Sequence, residues 1–126
     1  MSTSTSVIDS IATVAVFVGD QDRALDFWTR QVGFDKRRDE PMDEHGRWIE
    51  VGPAGSDSAL VICPRAMRPD WAERKPMVVF RCTDVELAHR TLSARGVTFD
   101  RPPQRTTWGT FASFLDTEGN QFGLSG

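Results

Sequence analysis

The chain has 126 residues, a formal net charge of −3, and 39% hydrophobic and 26% charged residues, the makeup of one domain with a modest core. It carries no basic stripe to attract nucleic acid or an anionic membrane, and no apolar run of the ~18 residues a membrane span needs. Its opening also lacks a secretory signal, so a cytoplasmic protein with no nucleic-acid and no membrane partner is expected.

Residues 1–10 (MSTSTSVIDS) read as a flexible polar tail. A strand follows near 11–18. Asp20 supplies a short oxygen acceptor for the free backbone donors of a helix. Ala24, Leu25, Trp28 and Val32 then recur at helical spacing, and Gly33 suits the position just past the helix end. A second strand is expected near 34–38 and a loop over 39–46 (DEPMDEHG), where Pro, Gly and charges cluster. RWIEV (47–51) and ALVIC (59–63) are the third and fourth strands, and 64–75 (PRAMRPDWAERK) is a linker.

The plan then repeats: MVVFRC as strand, 84–95 as helix, VTF as strand, RPPQRT as loop, WGTFASFLD as strand, TEGN as turn and QFGLS as the last strand. Asp20 and Asp84 are 64 positions apart, as are Ala24 and Ala88, while Gly33 and Gly96 are 63 apart. The reading is an α+β fold of two βαβββ modules, 11–63 and 76–126, within a single domain spanning 11–126. The modules stand in pseudo-two-fold tandem and form a curved mixed sheet around a concave cleft, with the helices on the outer face.

Side chains alternate across a strand, so Val14, Val16 and Val18 are expected under the helix, and Thr13, Ala15 and Phe17 toward the cleft. Carrying the 64-residue offset through the chain assigns Phe17, Trp48, Met77, Val79, Trp108 and Phe114 to the cleft, with Thr13, Glu50, Arg81, Thr110 and Gln121 as its polar groups. An apolar, aromatic cleft with a few polar groups suits a small molecule. The same side chains would alternatively fill a barrel-like core. Trp48 and Trp108 offer flat walls for a planar or cationic ligand. Glu50 and Arg81 would pair with each other, orient a ligand, or reach solvent at the cleft mouth, and an inward Glu50 is a candidate general base. Trp28 reads as core packing, and Trp71 in the linker as a lid or a subunit contact. Cys63 and Cys82, within apolar strands, read as inert thiols rather than a disulfide.

FVGDQDRALDFWTRQVGF and TWGTFASFLDTEGNQFGL resemble the vicinal oxygen chelate superfamily, which includes glyoxalase I, extradiol dioxygenases, fosfomycin-resistance transferases and bleomycin-binding proteins. The resemblance covers about residues 11–125. It implies the paired-module fold, a homodimer, and in the enzymes one divalent metal held by His, Glu or Gln. The positions it points to hold Thr13, Met77, Gly123 and Val61 or Ile62, none a ligand for such a metal. His45 reads as a solvated surface histidine and His89 as a helix residue. No metal and no cofactor are therefore expected.

Three functions follow. The first is a metal-independent protein binding a small, aromatic molecule, a drug-sequestering protein of the bleomycin-binding type. The second is a glyoxalase-, isomerase- or dioxygenase-type enzyme with a non-standard metal site or with Glu50 as base. The third is a diverged module with a collapsed cleft.

Overall fold

The first module comprises β1 (Thr13–Val18), α1 (Gln21–Asp26, running on as a π-helical turn over Phe27–Gln31), β2 (Asp35–Asp43), β3 (Gly46–Gly52) and β4 (Ala59–Pro64). The second comprises β5 (Val78–Arg81), α2 (Val85–Ala94), β6 (Thr98–Thr106), β7 (Gly109–Leu115) and β8 (Gln121–Ser125). They form two mixed sheets of matching order, β1-β4-β3-β2 and β5-β8-β7-β6, the plan expected of tandem βαβββ modules. β1 and β4 run parallel, as do β5 and β8, and the other pairings are antiparallel. The computed structural model describes residues 6–126; the first five residues of the expected tail lie outside them.

Both helices are capped as their sequences require. The Asp20 side chain accepts from the Arg23 N–H and the Asp84 side chain from the Leu87 N–H, each at 3.0 Å. At the other end Gly33 (φ 92°) and Gly96 (φ 91°) take the left-handed conformation that lets the chain turn off the helix.

Between cap and glycine the two modules differ by one residue: twelve in the first, eleven in the second. The π-turn absorbs the extra one. The Val32 N–H donates to the Phe27 carbonyl at 3.0 Å and the Phe34 N–H to Trp28 at 2.9 Å, whereas in α2 the Val97 N–H reaches Leu92 at 3.0 Å, one residue less.

This insertion changes the repeat offset from 64 to 63 over β2 and β3, and in a strand a one-residue shift exchanges the faces. Val51 faces Leu60 and Phe114 faces Phe122 across their pairs, so Phe114 is the counterpart of Val51, and Ser113 of Glu50. Phe114 is accordingly 0% exposed and lies in the core with Ala112, not in the cleft as the uniform 64-residue offset had it. β1 lies before the insertion, and there Val16 and Val18 are buried as expected.

Two expected loops are strand instead. β2 continues through Pro41 and β6 through Pro102 and Pro103. Both are outer strands of their sheets, where a residue without an N–H is tolerated, and register irregularities fall at Pro41/Asp43 and Arg101/Gln104. Trp108, expected to open a strand, sits in the β6–β7 turn.

The helix-side faces share one core. Val16, Val18, Ile49, Val51, Leu60 and Ile62 come from the first sheet, and Ala112, Phe114, Phe122 and Leu124 from the second. Trp28, 0% exposed, joins them: its ring lies 5.3 Å from Phe34, 4.8 Å from Phe122, 5.9 Å from Phe80 and 6.0 Å from Phe114.

Deleting Arg30, an exposed residue of the π-turn, should convert α1 to a regular helix and leave the core side chains in place. The expected cost in chemical denaturation is below about 2 kcal/mol, with helical circular dichroism retained. Deleting Arg90 from α2, which has no residue to spare, should rotate Leu92 off the core and cost more. Equal costs would show that the π-turn does not house an insertion.

Candidate functional site

The faces turned away from the helices carry the candidate site. On the first sheet Glu40 stands opposite Trp48, and Cys63 opposite Phe17; the next rung runs Arg38, Glu50, Val61, Ala15. Trp48 Nε1 donates to Glu50 Oε2 at 2.7 Å, and Arg38 reaches the same oxygen at 3.4 Å while holding Glu40 at 2.6 Å. The Glu50 side chain is 16% exposed. Its carboxylate thus already anchors an indole and a guanidinium.

On the second sheet one rung runs Arg101, Ser113, Gly123, Val79, with Gln121 beside it on β8. Ser113 Oγ donates to Asp100 Oδ1 at 2.8 Å and Gln121 Nε2 donates to Asp100 Oδ2 at 2.7 Å. Although desolvation opposes it, these hydrogen bonds hold the Asp100 carboxyl below its usual range. Met77, Val79 and Phe111 are exposed apolar side chains nearby, at 67%, 53% and 39%.

Where the modules meet, a cavity of about 290 Å³ is lined by Phe17, Trp71, Arg74, Lys75, Met77 and Gln121, among others. A shallower hollow of about 400 Å³ shares Met77 and Gln121 and continues over Val79, Phe111, Ser113 and Arg101. Phe17, Met77 and Gln121, assigned to the cleft from sequence, are therefore brought together. The linker adds what the sequence did not place. Trp71 sits in a short 3-10 turn, with the Arg65 guanidinium 3.8 Å from its ring centroid.

Arg65 also pairs with Glu118 at 2.8 Å, and Glu118 accepts the Gly19 N–H at 2.7 Å and the Asp20 N–H at 3.0 Å. Asp116 shapes the turn that presents Glu118, accepting the Glu118 N–H at 2.9 Å and the Asn120 N–H at 2.8 Å. One carboxylate from the second module thereby clasps the β1–α1 corner of the first and the arginine that covers Trp71.

The remaining expected residues lie elsewhere. Arg81 shares a β5 face with Val79 but lines a separate cavity of about 490 Å³ with Phe34, Phe80 and Leu87. Thr110 is half-buried, its backbone paired with Gly126. Trp108 is 89% exposed.

The positions at which the resemblance places metal ligands do not fit a metal. Thr13 and Met77 are exposed, Val61 and Ile62 are buried hydrocarbon, and a side chain at position 123 would meet the Val79 methyl at 3.2 Å. Among the described residues no three His, Cys, Asp or Glu side chains converge on a point. His45 lies 3.8 Å from Glu44 in the β2–β3 turn, and His89 packs edge-on against Phe99 at 4.6 Å. Cys63 and Cys82 are free thiols pushed up by burial, which makes them poor nucleophiles.

Replacing Glu118 with Ala should leave Arg65 and two backbone N–H groups without their acceptor. A loss of about 1–3 kcal/mol in urea denaturation is expected. It should be accompanied by a change in Trp71 fluorescence, read in a variant whose other three tryptophans are Phe. An unchanged midpoint and spectrum would show that the clasp is incidental.

The chain matches the model of the Glyoxalase/Bleomycin resistance protein/Dioxygenase superfamily over residues 10–124. It is 42% identical over 116 residues to the protein YetH of Bacillus subtilis (strain 168), covering 92% of this chain and 97% of that one. Among solved structures it is similar to TnmS3, an antibiotic binding protein from Streptomyces sp. CB03234, with 37% identity, a TM-score of 0.82, and 95% and 97% of the two chains covered. A superfamily member from Sphaerobacter thermophilus DSM 20745 superposes with a TM-score of 0.85 at 32% identity, over 95% of this chain and 98% of that one. Paired βαβββ modules, the family match along nearly the whole chain and these likenesses agree: the chain belongs to the glyoxalase/bleomycin resistance/dioxygenase superfamily.

Proposed function

We propose that this protein binds and sequesters a flat aromatic drug or metabolite without a metal, in the cytoplasm and as a homodimer. The observation that carries the reading is the junction cavity. Its walls are Phe17, Trp71 and Met77, Arg74 and Lys75 also line it, and among the described residues no His, Cys, Asp or Glu lines it. Such walls hold a planar molecule by stacking and apolar contact rather than by transforming it. The likeness to TnmS3, an antibiotic binding protein, supports the same class of ligand. The exposed apolar groups Met77, Val79, Phe111 and Trp108 support pairing with a second copy. Glu50, the candidate base, has its carboxylate engaged by Trp48 and Arg38, which favours a role in orienting the Trp48 side chain.

The test uses 2-naphthol as a planar probe, followed by calorimetry. Saturable binding is expected, with the same affinity after exhaustive chelation, and about tenfold weaker in Trp71→Ala (~1.4 kcal/mol) without loss of fold. Absence of saturable binding, or its loss on chelation, overturns the reading.

A further inference from the structure

Among the described residues, Gln121 is the one polar side chain that lines both the junction cavity and the hollow beside it. Its amide has two faces, a donating nitrogen and an accepting oxygen. The nitrogen is committed: Nε2 donates to Asp100 Oδ2 at 2.7 Å and lies 3.4 Å from Ser113 Oγ. Asp100 lines neither cavity. An ionised carboxylate accepts and never donates, so the amide cannot turn its oxygen toward Asp100 without setting two acceptors against each other. Ser113, 5% exposed, spends its own proton on the other oxygen of Asp100 at 2.8 Å. The serine is thus left with only acceptor capacity toward Gln121, which holds the amide in the same sense. Gln121 Oε1 takes no hydrogen bond from any described residue and is the group left to meet an occupant.

We propose that Gln121 selects ligands carrying a hydroxyl or N–H donor on the aromatic frame, and that Asp100 is the positioning residue that fixes this preference. The inference rests on the binding function proposed above. A ligand that donates to Oε1 satisfies it. A ligand that offers only an ether or carbonyl oxygen there strips water from Oε1 and returns nothing, and a polar group left unpaired in this way is where discrimination arises.

The experiment compares 2-naphthol with 2-methoxynaphthalene, which share the ring system and differ in the donor. The wild-type chain should bind 2-naphthol about three- to tenfold more tightly, the worth of one net hydrogen bond. In Asp100→Asn the new amide can donate to Gln121, and Gln121 is free to turn its nitrogen outward. The preference should then fall to parity or reverse, while the summed affinity for the ring system is kept. In Gln121→Leu the affinity for 2-naphthol should fall and that for 2-methoxynaphthalene should hold or rise; this variant keeps the test open if Asp100→Asn does not fold. A merely structural role for Asp100 would weaken both probes alike, which would overturn the inference. Equal binding of the two probes by the wild type would also overturn it and leave the binding function standing. Binding of neither probe would remove the binding function itself, and this inference with it.

Discussion

The placement of Trp28 between the two modules is the constraint on which the rest of the structure turns. Its indole comes from the first helix, yet three of its ring neighbours, Phe80, Phe114 and Phe122, belong to the second sheet. A sheet has two faces, and this shared aromatic cluster commits one face of each to a common interior. The opposite faces, with Phe17 on one and Met77, Val79 and Phe111 on the other, are thereby left for something that is not this core. The indole is buried without a hydrogen-bond partner for its Nε1 among the described residues. An unpaired buried donor costs on the order of 1–3 kcal/mol, whereas truncating a buried Trp costs about 3–5 kcal/mol, so packing outweighs the orphaned donor.

How much of this was legible in the sequence depended on distance along the chain. The Asp20 helix cap, the closing glycines and the buried face of β1 follow from local chemistry and period, and all are found. The fate of Phe114 was also written there, in the single-residue difference between the Asp20–Asp84 and Gly33–Gly96 spacings. Its meaning depends on where the extra residue is housed. Housed in the helix as a π-turn, it reverses the faces of β6 and β7 against a 64-residue offset, and a second one-residue difference, in the turn after β3, brings β8 back to the face first expected. The proline-bearing strands were not legible, because a Pro on an outer strand costs little and only the sheet order reveals which strands are outer. Nor was the clasp: Glu118 and Gly19 lie 99 positions apart, and nothing periodic joins them. The linker that carries Trp71 has no pattern of its own, and its arrangement is imposed by Arg65 and Glu118.

The positions at which the resemblance places metal ligands carry side chains of the wrong chemistry for a divalent ion. A divalent ion demands several hard donors converging within bonding distance. Hydrocarbon at Val61 and Ile62, a thioether at Met77 and no side chain at Gly123 supply none of this, and the Val79 methyl occupies the space a side chain at position 123 would need. The charges that remain are mostly tied to one another: Glu50 to Trp48 and Arg38, Arg65 to Glu118, Arg74 to Asp70 at 2.7 Å. Paired charges orient walls at small desolvation cost, whereas a free carboxylate in the cavity would repel most acceptor-bearing rings.

Affinity and selectivity in such a site then come from different residues. Apolar contact is non-directional, so in the site as proposed Phe17, Trp71 and Met77 would discriminate little among ring systems. Direction enters only through a polar group whose orientation is not free to adapt. An amide that could rotate would satisfy donors and acceptors alike and select neither. The second sheet removes that freedom from Gln121 by placing a carboxylate behind it, and a buried serine whose proton is already spent. The register that puts Ser113 beside Gly123 and Gln121 at the edge of β8 is the one that puts Phe114 under the helices. The burial of one aromatic ring in the core and the orientation of the Gln121 amide are thus consequences of one strand alignment.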